Sequence, residues 1–342
     1  MQETVTIVMY HYVRDLARSR YPEIKGCDLH DFREQLGYIC RYYTLITAQD
    51  LIHAVLDKRA TGRWELPANA ALLTFDDGYA DHFHHVFPLL AALRVQGSFF
   101  AAARAICEQR VLDVNKIHFI LAAVADKRTL VAELFALLDR YRAEYRLEEN
   151  EAYYRRIARA SRYDPPEVVF IKRLLQRELP VTARERITAA LFAKYVSQDE
   201  AAFASELYMD LDQLRCLAQN GMYIGSHAYN HVWLSQLTRE EQAEEIDRSI
   251  EFLSLLGNNT TTWIMCYPYG DSSESLRRLI HARGGVLGLT TRVAIAHAAD
   301  DPLLLPRLDT TDLPTHQAAP PGAWTTRVLA GRHDLESNGH TE

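Results

Sequence analysis

The apolar segment Ala71–Phe75 (ALLTF) is followed at once by Asp76, Asp77 and Gly78, and this junction decides the fold. A short apolar run that ends in polar residues is typical of a buried parallel strand. In parallel α/β folds, catalytic side chains gather where the carboxyl ends of the strands meet. The junction therefore predicts a buried strand that delivers two carboxylates to a functional cleft.

Strands and helices alternate in both directions from this junction. Before it, the β-branched and aromatic run Val5–Tyr12 predicts a first strand, and apolar spacing over Asp28–Tyr43 predicts an amphipathic helix. After it, the patterns predict a helix over His85–Leu93, a strand over Gly97–Ala102, a strand over Tyr223–Ser226, a helix over Arg239–Leu255, a strand over Thr262–Tyr267, a helix over Ser273–Ala282 and a strand over Val286–Thr290. Such alternation indicates an α/β fold built on a parallel sheet or barrel.

Two regions depart from this alternation. Residues 111–205 contain charged helical segments with few strand signals, which predicts a helical insertion between barrel segments 1–110 and 206–314. Residues 315–342 lack a periodic apolar face, which predicts a flexible tail. The insertion could form a substrate lid or the interface of a homo-oligomer, and its sequence leaves both open.

Charge and composition restrict the class of partner. The net charge is −7 and no long block of lysine or arginine is present, which argues against nucleic acid as a partner. The five cysteines form no CxxC pair, which favours reduced thiols over a zinc knuckle or a disulfide framework. The first residues do not resemble a signal peptide, and no run is long and apolar enough to span a bilayer. We therefore expect a cytoplasmic protein that acts on a small molecule or a glycan.

Three short segments place metal-ligand or turn residues at predicted strand ends: TFDDGY at 74–79, SHAYNH at 226–231 and YPYG at 267–270. Two histidines four positions apart can point to the same side of a turn, and imidazole with carboxylate is a favoured ligand set for zinc and its neighbours. With one Asp they provide three protein ligands and leave a position for water. Each segment alone is more typical of a turn, a cap or exposed histidines, but their conjunction favours a metal-dependent hydrolase.

These segments resemble the first three motifs of the polysaccharide deacetylase family, also called the NodB-homology domain. The resemblance covers about residues 5–110 and 205–312. It implies a distorted, incomplete (β/α) barrel and a metal-dependent deacetylase that releases acetate from an N-acetylated sugar.

The resemblance also implies roles for individual residues. It implies that Asp76 is the catalytic base and that Asp77, His227 and His231 hold a divalent metal, most commonly Zn²⁺, with Co²⁺, Ni²⁺ or Mn²⁺ as alternatives. In the mechanism that it implies, water attacks the acetamide carbon and Asp76 accepts its proton. Substrate contacts are expected from aromatic and YPYG residues that border the acetyl group or suit a sugar ring, namely Tyr79, Tyr267, Pro268 and Tyr269.

The chain departs from the family pattern at the position two residues before the motif proline. The family often has an arginine there that pairs with the base, whereas this sequence has Cys266. Arg307, at the end of another predicted strand in the segment LPRLD, is a plausible replacement because a guanidinium could hold Asp76 ionised.

A second departure concerns the general acid. The late LxH motif of the family is unclear, because His281 lies inside a predicted helix and His297 lacks the leucine. His11 is the better candidate, since some branches of the family have a similar YH at the end of the first strand. A hydrogen-bonded core histidine is the alternative interpretation.

The leading hypothesis is an N-deacetylase for an N-acetylated sugar or glycan intermediate, such as a precursor in surface-polysaccharide (O-antigen or capsule) biosynthesis. A second hypothesis is hydrolysis of a non-sugar amide or cyclic imide, because fold alone does not determine substrate. A third is a catalytically degenerate carbohydrate-binding protein, which the missing arginine favours and the retained aspartate pair disfavours.

Overall fold

The structure, a computed structural model, describes residues 3–161 and 164–331 and divides them into two compact units. Residues 3–15, 26–108 and 205–331 form the barrel unit. Residues 16–25, 109–161 and 164–204 form the helical unit. The helical unit thus includes residues 16–25, which the sequence patterns place in the barrel.

The barrel unit is built on a curled, mostly parallel sheet. Its strands are β1 (Thr4–Tyr10), β4 (Thr44–Leu45), β5 (Ala70–Asp76), β6 (Ser98–Ala101), β7 (Tyr223–Ser226), β8 (Trp263–Cys266), β9 (Gly285–Leu289), β10 (Ala296–His297) and β11 (Leu308–Asp309). Their order is β10-β1-β5-β6-β7-β8-β9, with β11 paired to β1 and β4 paired to β5. A separate two-stranded sheet joins β2 (Val13–Arg14) to β3 (Cys27–Asp28).

The segment from Leu305 to Asp309 lies between β9 and β1. Leu305 forms a parallel bridge with Leu289 of β9, and the main-chain carbonyl of Leu305 accepts a hydrogen bond of 2.9 Å from Thr290. Three residues later, β11 pairs in parallel with β1. A short irregular segment therefore stands where a full barrel would have another strand, which places Arg307 beside the sheet interior.

Alternation along β5 separates the core from the site. Successive side chains of a strand point to opposite faces, so Leu72, Thr74 and Asp76 share one face. Leu72 packs in a core cluster with Phe100, Ile264 and Leu287 of neighbouring strands. The same face thus begins as packed core and ends as a polar site at the carboxyl end of the strand.

The helices of the barrel unit connect these strands. They are α1 (Leu29–Tyr42), α2 (Ala48–Thr61), α3 (Phe87–Leu93), α4 (Ala103–Cys107), α11 (Leu211–Gln219), α12 (Arg239–Leu255), α13 (Glu274–Ala282) and α14 (Ala323–Leu329). Helix α12 starts with a capping box, in which Thr238 and Glu241 satisfy each other's main-chain amides. The predicted bounds of β7 and α12 agree with the structure because their start and stop signals are local.

The helical unit has a core of its own. It contains α5 (Asp113–Ala123), α6 (Lys127–Tyr145), α7 (Asn150–Ile157), α8 (Pro166–Arg173), α9 (Val181–Tyr195) and the start of α10 (Glu200–Leu207). Fully buried side chains fill its interior, including Leu130, Leu134, Leu138, Phe170 and Ile187. Within the described ranges, no helix is long and apolar enough for a bilayer crossing.

Two local features differ from the sequence predictions. The helix expected over His85–Leu93 is preceded by a π-helical turn at His82–Val86, an unusual geometry that apolar periodicity does not reveal. The chain expected to be a flexible tail from residue 315 contains α14, because Thr325 is buried and hydrogen-bonded to Tyr38. The rest of that expected tail, residues 332–342, lies outside the described residues.

Candidate active site

The three sequence motifs lie at neighbouring strand ends. Strands β5, β6, β7 and β8 are adjacent and parallel, so their carboxyl ends share one edge of the sheet. Asp76 is the last residue of β5, Ser226 ends β7 and Cys266 ends β8. The residues that follow each strand are thereby brought to one place, although long stretches of sequence separate them.

Asp77, His227 and His231 converge on one point. The Nε2 atoms of His227 and His231 each lie 3.3 Å from Oδ1 of Asp77, and all three side chains are buried. Oδ1 of Asp77 has no hydrogen-bond partner among the described residues. One carboxylate oxygen, Oδ1 of Asp77, and two imidazole nitrogens therefore meet at a buried point where no described residue donates a hydrogen bond to that oxygen.

This arrangement fits a divalent metal ion. The Nδ1 atom of His227 donates a 2.7 Å hydrogen bond to the main-chain carbonyl of Cys266, which leaves Nε2 with its lone pair free for a ligand bond. Tyr79 donates a hydrogen bond of 2.5 Å to Oδ2 of Asp77 and leaves Oδ1 available. Two imidazoles and one carboxylate are the donor set of open zinc sites and of related transition-metal sites.

Electrostatics within the cluster favour an ionised Asp77. Burial alone would raise the pKa of this carboxyl, but the close approach of the His227 and His231 imidazoles outweighs burial and holds the pKa well below its usual range. An anionic oxygen is therefore present where a cation would bind.

Asp76 forms a buried ion pair with Arg307. The guanidinium approaches Oδ1 at 2.9 Å and Oδ2 at 2.8 Å, and only 1% of either side chain is exposed. Burial opposes ionisation of Asp76, but the charge of Arg307 dominates and lowers the pKa of Asp76 from 3.8 to about 2. Asp76 is thus a carboxylate over the whole neutral range.

Arg307 reaches Asp76 from the irregular segment described above. It precedes β11, whereas the sequence pattern places it at the end of a strand. Its Nε donates to the carbonyl of Thr290 at 2.9 Å, and its Nη1 also lies 3.2 Å from Oγ1 of Thr74. These contacts orient the guanidinium, and they arise from chain segments that are remote in sequence.

His11 is the one predicted acid candidate on this side of the sheet. It follows β1, and its Nε2 lies 3.8 Å from Oδ2 of Asp76 with 42% of the side chain exposed. Its main-chain carbonyl accepts a 2.7 Å hydrogen bond from the buried ring of His82, in the π-helical turn. The backbone of His11 is therefore fixed by a hydrogen bond, while its imidazole stays accessible to solvent beside Asp76.

The other two histidines lie at the opposite end of the sheet. His297 pairs with Thr4 at the start of β1, some six residues or about 20 Å from the end that leads to His11. His281 lies in the last turn of α13, just before β9 begins, and therefore at the amino ends of the strands. Neither position allows the role that the late family motif assigns to its histidine.

The site loops adopt strained backbone conformations. Asp77, Ala228, His231 and Tyr269 have φ angles of 71°, 58°, 57° and 58°, in the left-handed region that non-glycine residues avoid. Each such residue costs about 1–3 kcal/mol and persists only where the surrounding structure determines it. The surroundings of the motifs must therefore contribute stabilising contacts.

The predicted substrate-contact residues differ in accessibility. Tyr269 is partly exposed, and its ring stacks on Trp233 with centroids 4.5 Å apart and planes within 2°. Tyr79, Tyr267 and Pro268 are buried. These three side chains are thus enclosed by protein, and their contact with substrate stays a prediction.

Several residues that support the site escaped the sequence analysis. Glu245 and Ser249 of α12 and His82 of the π-helical turn are buried and hydrogen-bonded to the motif loops or to His11. The available signal was the spacing of Gln242, Glu245 and Ser249, which puts polar residues on the face of α12 that also carries its apolar residues.

Comparisons with known proteins show which family this chain resembles. A family model described as polysaccharide deacetylase matches residues 172–285. This span contains the second and third motifs, begins within the predicted insertion and leaves out TFDDGY. The chain is thus related to the polysaccharide deacetylase family, and the resemblance predicted from its motifs is confirmed.

Individual relatives agree with this class. YxkH of Bacillus subtilis (strain 168), named as a polysaccharide deacetylase, is 31% identical over 85 residues, which are 25% of this chain and 30% of YxkH. The chain therefore matches less than a third of the length of this curated relative.

Two solved structures cover nearly the whole chain. The Streptococcus pyogenes deacetylase PplD, in complex with acetate, has a TM-score of 0.55 at 17% identity over 90% of this chain and 93% of its own. IcaB from Ammonifex degensii has a TM-score of 0.53 at 17% identity, over 96% and 97% of the two chains. These likenesses show the fold, and the predicted α/β class with an incomplete (β/α) barrel is confirmed.

Proposed function

We propose that this protein is a metal-dependent N-deacetylase that hydrolyses the acetamide of an N-acetylated sugar. The observation that carries the proposal is the convergence of Asp77, His227 and His231 on one point, with the Asp76–Arg307 pair beside it. The candidate ligands and the base lie together at the carboxyl ends of β5 and β7, and amide hydrolysis requires such proximity.

The residues of the chain divide the chemistry among them. A divalent ion held by Asp77, His227 and His231 would polarise the acetamide carbonyl and lower the pKa of water in its open position. Asp76, kept ionised by Arg307, accepts the proton of the attacking water. His11, with Nε2 3.8 Å from Oδ2 of Asp76, donates a proton to the departing amine.

The substrate is held at the partly exposed rim of the site. The Tyr269 ring, stacked on Trp233, offers a flat apolar surface that suits a sugar ring. A main-chain amide near Tyr269 would share the negative charge that develops on the acetamide oxygen. Zn²⁺ is the proposed ion because the donor set contains two imidazoles and one carboxylate.

The cellular role extends this proposal. The substrate would be a sugar or glycan intermediate in surface-polysaccharide biosynthesis, such as that of O-antigen or capsule. All five cysteines are free thiols, which supports a reducing compartment such as the cytoplasm.

Metal content and acetate release test the proposal together. Purified wild-type protein is expected to contain about one zinc ion per chain and to release acetate from N-acetylated sugars. Asp76→Asn should keep the metal and lose about 10²–10⁴-fold in rate, because it removes the base and leaves the ligands. His231→Ala should lose both, while Asp212→Asn, at an exposed aspartate, should lose neither.

The other outcomes point to other functions. Acetate or amine release from non-sugar amides alone would replace the sugar with another amide substrate. Absence of both metal and acetate under reconstituting conditions would overturn the enzyme and favour a carbohydrate-binding protein.

A further inference from the structure

The loop that carries the two histidines is held by main-chain contacts from two sides. The first amides of α4 donate to its carbonyls, from Ala103 to Ala228 at 3.3 Å and from Arg104 to Tyr229 at 2.9 Å. The amides of the loop point the other way, towards α12. A single side chain there accepts from both Tyr229 and Asn230.

That side chain is Glu245, a carboxylate with 6% of its surface exposed. Its Oε2 accepts hydrogen bonds from the main-chain amides of Tyr229, at 3.1 Å, and Asn230, at 2.9 Å. Its Oε1 accepts from the Asn230 side chain. A buried carboxylate that takes all these donors from one loop satisfies the amides that the loop cannot pair within itself.

One turn further along α12, Ser249 contacts the start of the same loop. Its hydroxyl hydrogen-bonds to Oγ of Ser226, and Oγ of Ser226 accepts from the main-chain amide of Ala228 at 3.2 Å. Residues 245 and 249 are four positions apart and therefore lie on one face of the helix. One face of α12 thus holds the turn between His227 and His231 at two places, through Ser249 at its start and through Glu245 further along.

The backbone of this turn is strained. Ala228 and His231 both have left-handed φ angles, and the second of them is itself a candidate ligand. A relaxed backbone at His231 would redirect its imidazole away from Asp77. The contacts with α12 are therefore needed to keep Nε2 of both histidines 3.3 Å from the same carboxylate oxygen.

We propose that Glu245 and Ser249 are positioning residues that preorganise the metal-binding geometry of His227 and His231. This inference rests on the proposed metal site but concerns residues that bind neither metal nor substrate. Glu245 acts because its carboxylate offers only acceptors. A glutamine of the same size has only one acceptor oxygen, so if that oxygen stays on the two main-chain amides, its amide nitrogen faces the donor Nδ2 of Asn230.

The test is metal affinity, measured by competition between the apoprotein and a chelating dye for Zn²⁺. Glu245→Gln is expected to bind about 10–100-fold more weakly than wild type, the usual effect of losing a residue that orients a ligand. Glu244→Gln is the matched control, because the neighbouring carboxylate is exposed and pairs with Arg248 at 3.9 Å. The control should bind Zn²⁺ as wild type does.

A spectroscopic readout separates positioning from general destabilisation. Saturated with Co²⁺, Glu245→Gln should show a changed visible absorption spectrum, because the ligands surround the ion differently. A variant that is only less stable would unfold at lower temperature and keep the wild-type spectrum. An unchanged spectrum, or unchanged Zn²⁺ affinity, would overturn the inference.

Failure of the inference and of the proposed function remain distinguishable. Wild type that binds Zn²⁺ while Glu245→Gln binds equally well removes only the positioning role. Wild type that binds no Zn²⁺ overturns the metal site and the positioning role together. If Glu245→Gln does not fold, Ser249→Ala decides, since unchanged affinity and spectrum in that variant also contradict the proposal.

Discussion

The Asp76–Arg307 pair shows how a buried carboxylate stays ionised. Taking a carboxylate out of water is costly unless a partner compensates for the lost hydration. Arg307 compensates with two contacts and lowers the pKa of Asp76 to about 2. The pair consequently serves both stability and the chemistry proposed for Asp76.

Replacing Arg307 with leucine should destabilise the protein by about 3–5 kcal/mol at neutral pH, because Asp76 becomes an unpaired buried charge. In wild type the pKa of Asp76 lies below its ordinary 3.8, so its contribution is present above that pH and is lost as pH falls towards about 2. In Arg307→Leu the pKa of Asp76 rises, so the deficit should grow as pH increases. Urea unfolding over a pH series measures this deficit.

The control for this prediction is the double variant Asp76→Asn/Arg307→Leu. Because both charges are then absent, it should be more stable than Arg307→Leu alone, by about 1–3 kcal/mol. If the double variant instead loses as much stability as Asp76→Asn and Arg307→Leu lose together, the two side chains are not coupled.

His11 is tested by the choice of leaving group. His11→Gln should slow acetate release from sugar acetamides by about 10²–10⁴-fold, because the departing amine needs a proton. Hydrolysis of 4-nitrophenyl acetate should change little, since nitrophenolate leaves without one. Equal losses on both substrates would assign His11 a structural role, and His84→Gln, at an exposed histidine, serves as the control.

At the scale of elements, the site depends on how closely strands approach beneath it. Gly225 lies in β7, two residues before His227, and a Cβ at this position would collide with the ring of Phe100 on β6. Because Gly225 has no side chain, the Phe100 ring can pack directly against the backbone of β7. The direction in which β7 delivers the second motif follows from this contact.

Gly225→Ala should therefore cost about 1–3 kcal/mol through overpacking and should also weaken Zn²⁺ binding. Gly257→Ala is the control, because φ there is 74° but no atom lies near the added Cβ. That variant should lose about 1 kcal/mol from backbone strain and keep its Zn²⁺ affinity. Equal Zn²⁺ affinity in both variants would argue against a link between the strand contact and the site.

At the scale of the whole molecule, each compact unit has its own buried core. Leu134 is fully buried in α6 of the helical unit, and Leu72 is fully buried in β5 of the barrel unit. Since the residues of the candidate site all belong to the barrel unit, metal binding should depend on that core.

Leu134→Ala should lower the stability of the helical unit by about 2–5 kcal/mol and leave the metal content unchanged. Leu72→Ala should cost a similar amount and lower the temperature at which bound metal is released. Thermal melts followed by helical circular dichroism, with metal release recorded in parallel, compare the two variants. Loss of metal from Leu134→Ala at room temperature would show that the units do not fold independently.

The amino-acid sequence by itself determined the class of fold and the principal residues of the candidate site. Strand and helix periodicity is local, so the bounds of β7 and α12 could be predicted without tertiary information. The strand end at Asp76 and Asp77 could be predicted because a short apolar segment is followed directly by two charged residues. The motifs at 226–231 and 267–270 are short contiguous patterns, which is why their grouping could be anticipated before any distance was known.

Only the tertiary structure decided which remote residues complete the site. The sequence suggested Arg307 as a partner of Asp76, but only the folded chain shows the irregular segment that brings Arg307 there. Glu245 faces the histidine loop because α12 packs beside β7. The same packing buries Tyr79 and Tyr267, a degree of enclosure that their sequence neighbours do not reveal. Contacts between segments distant in sequence depend on how the layers pack, and no local pattern encodes that packing.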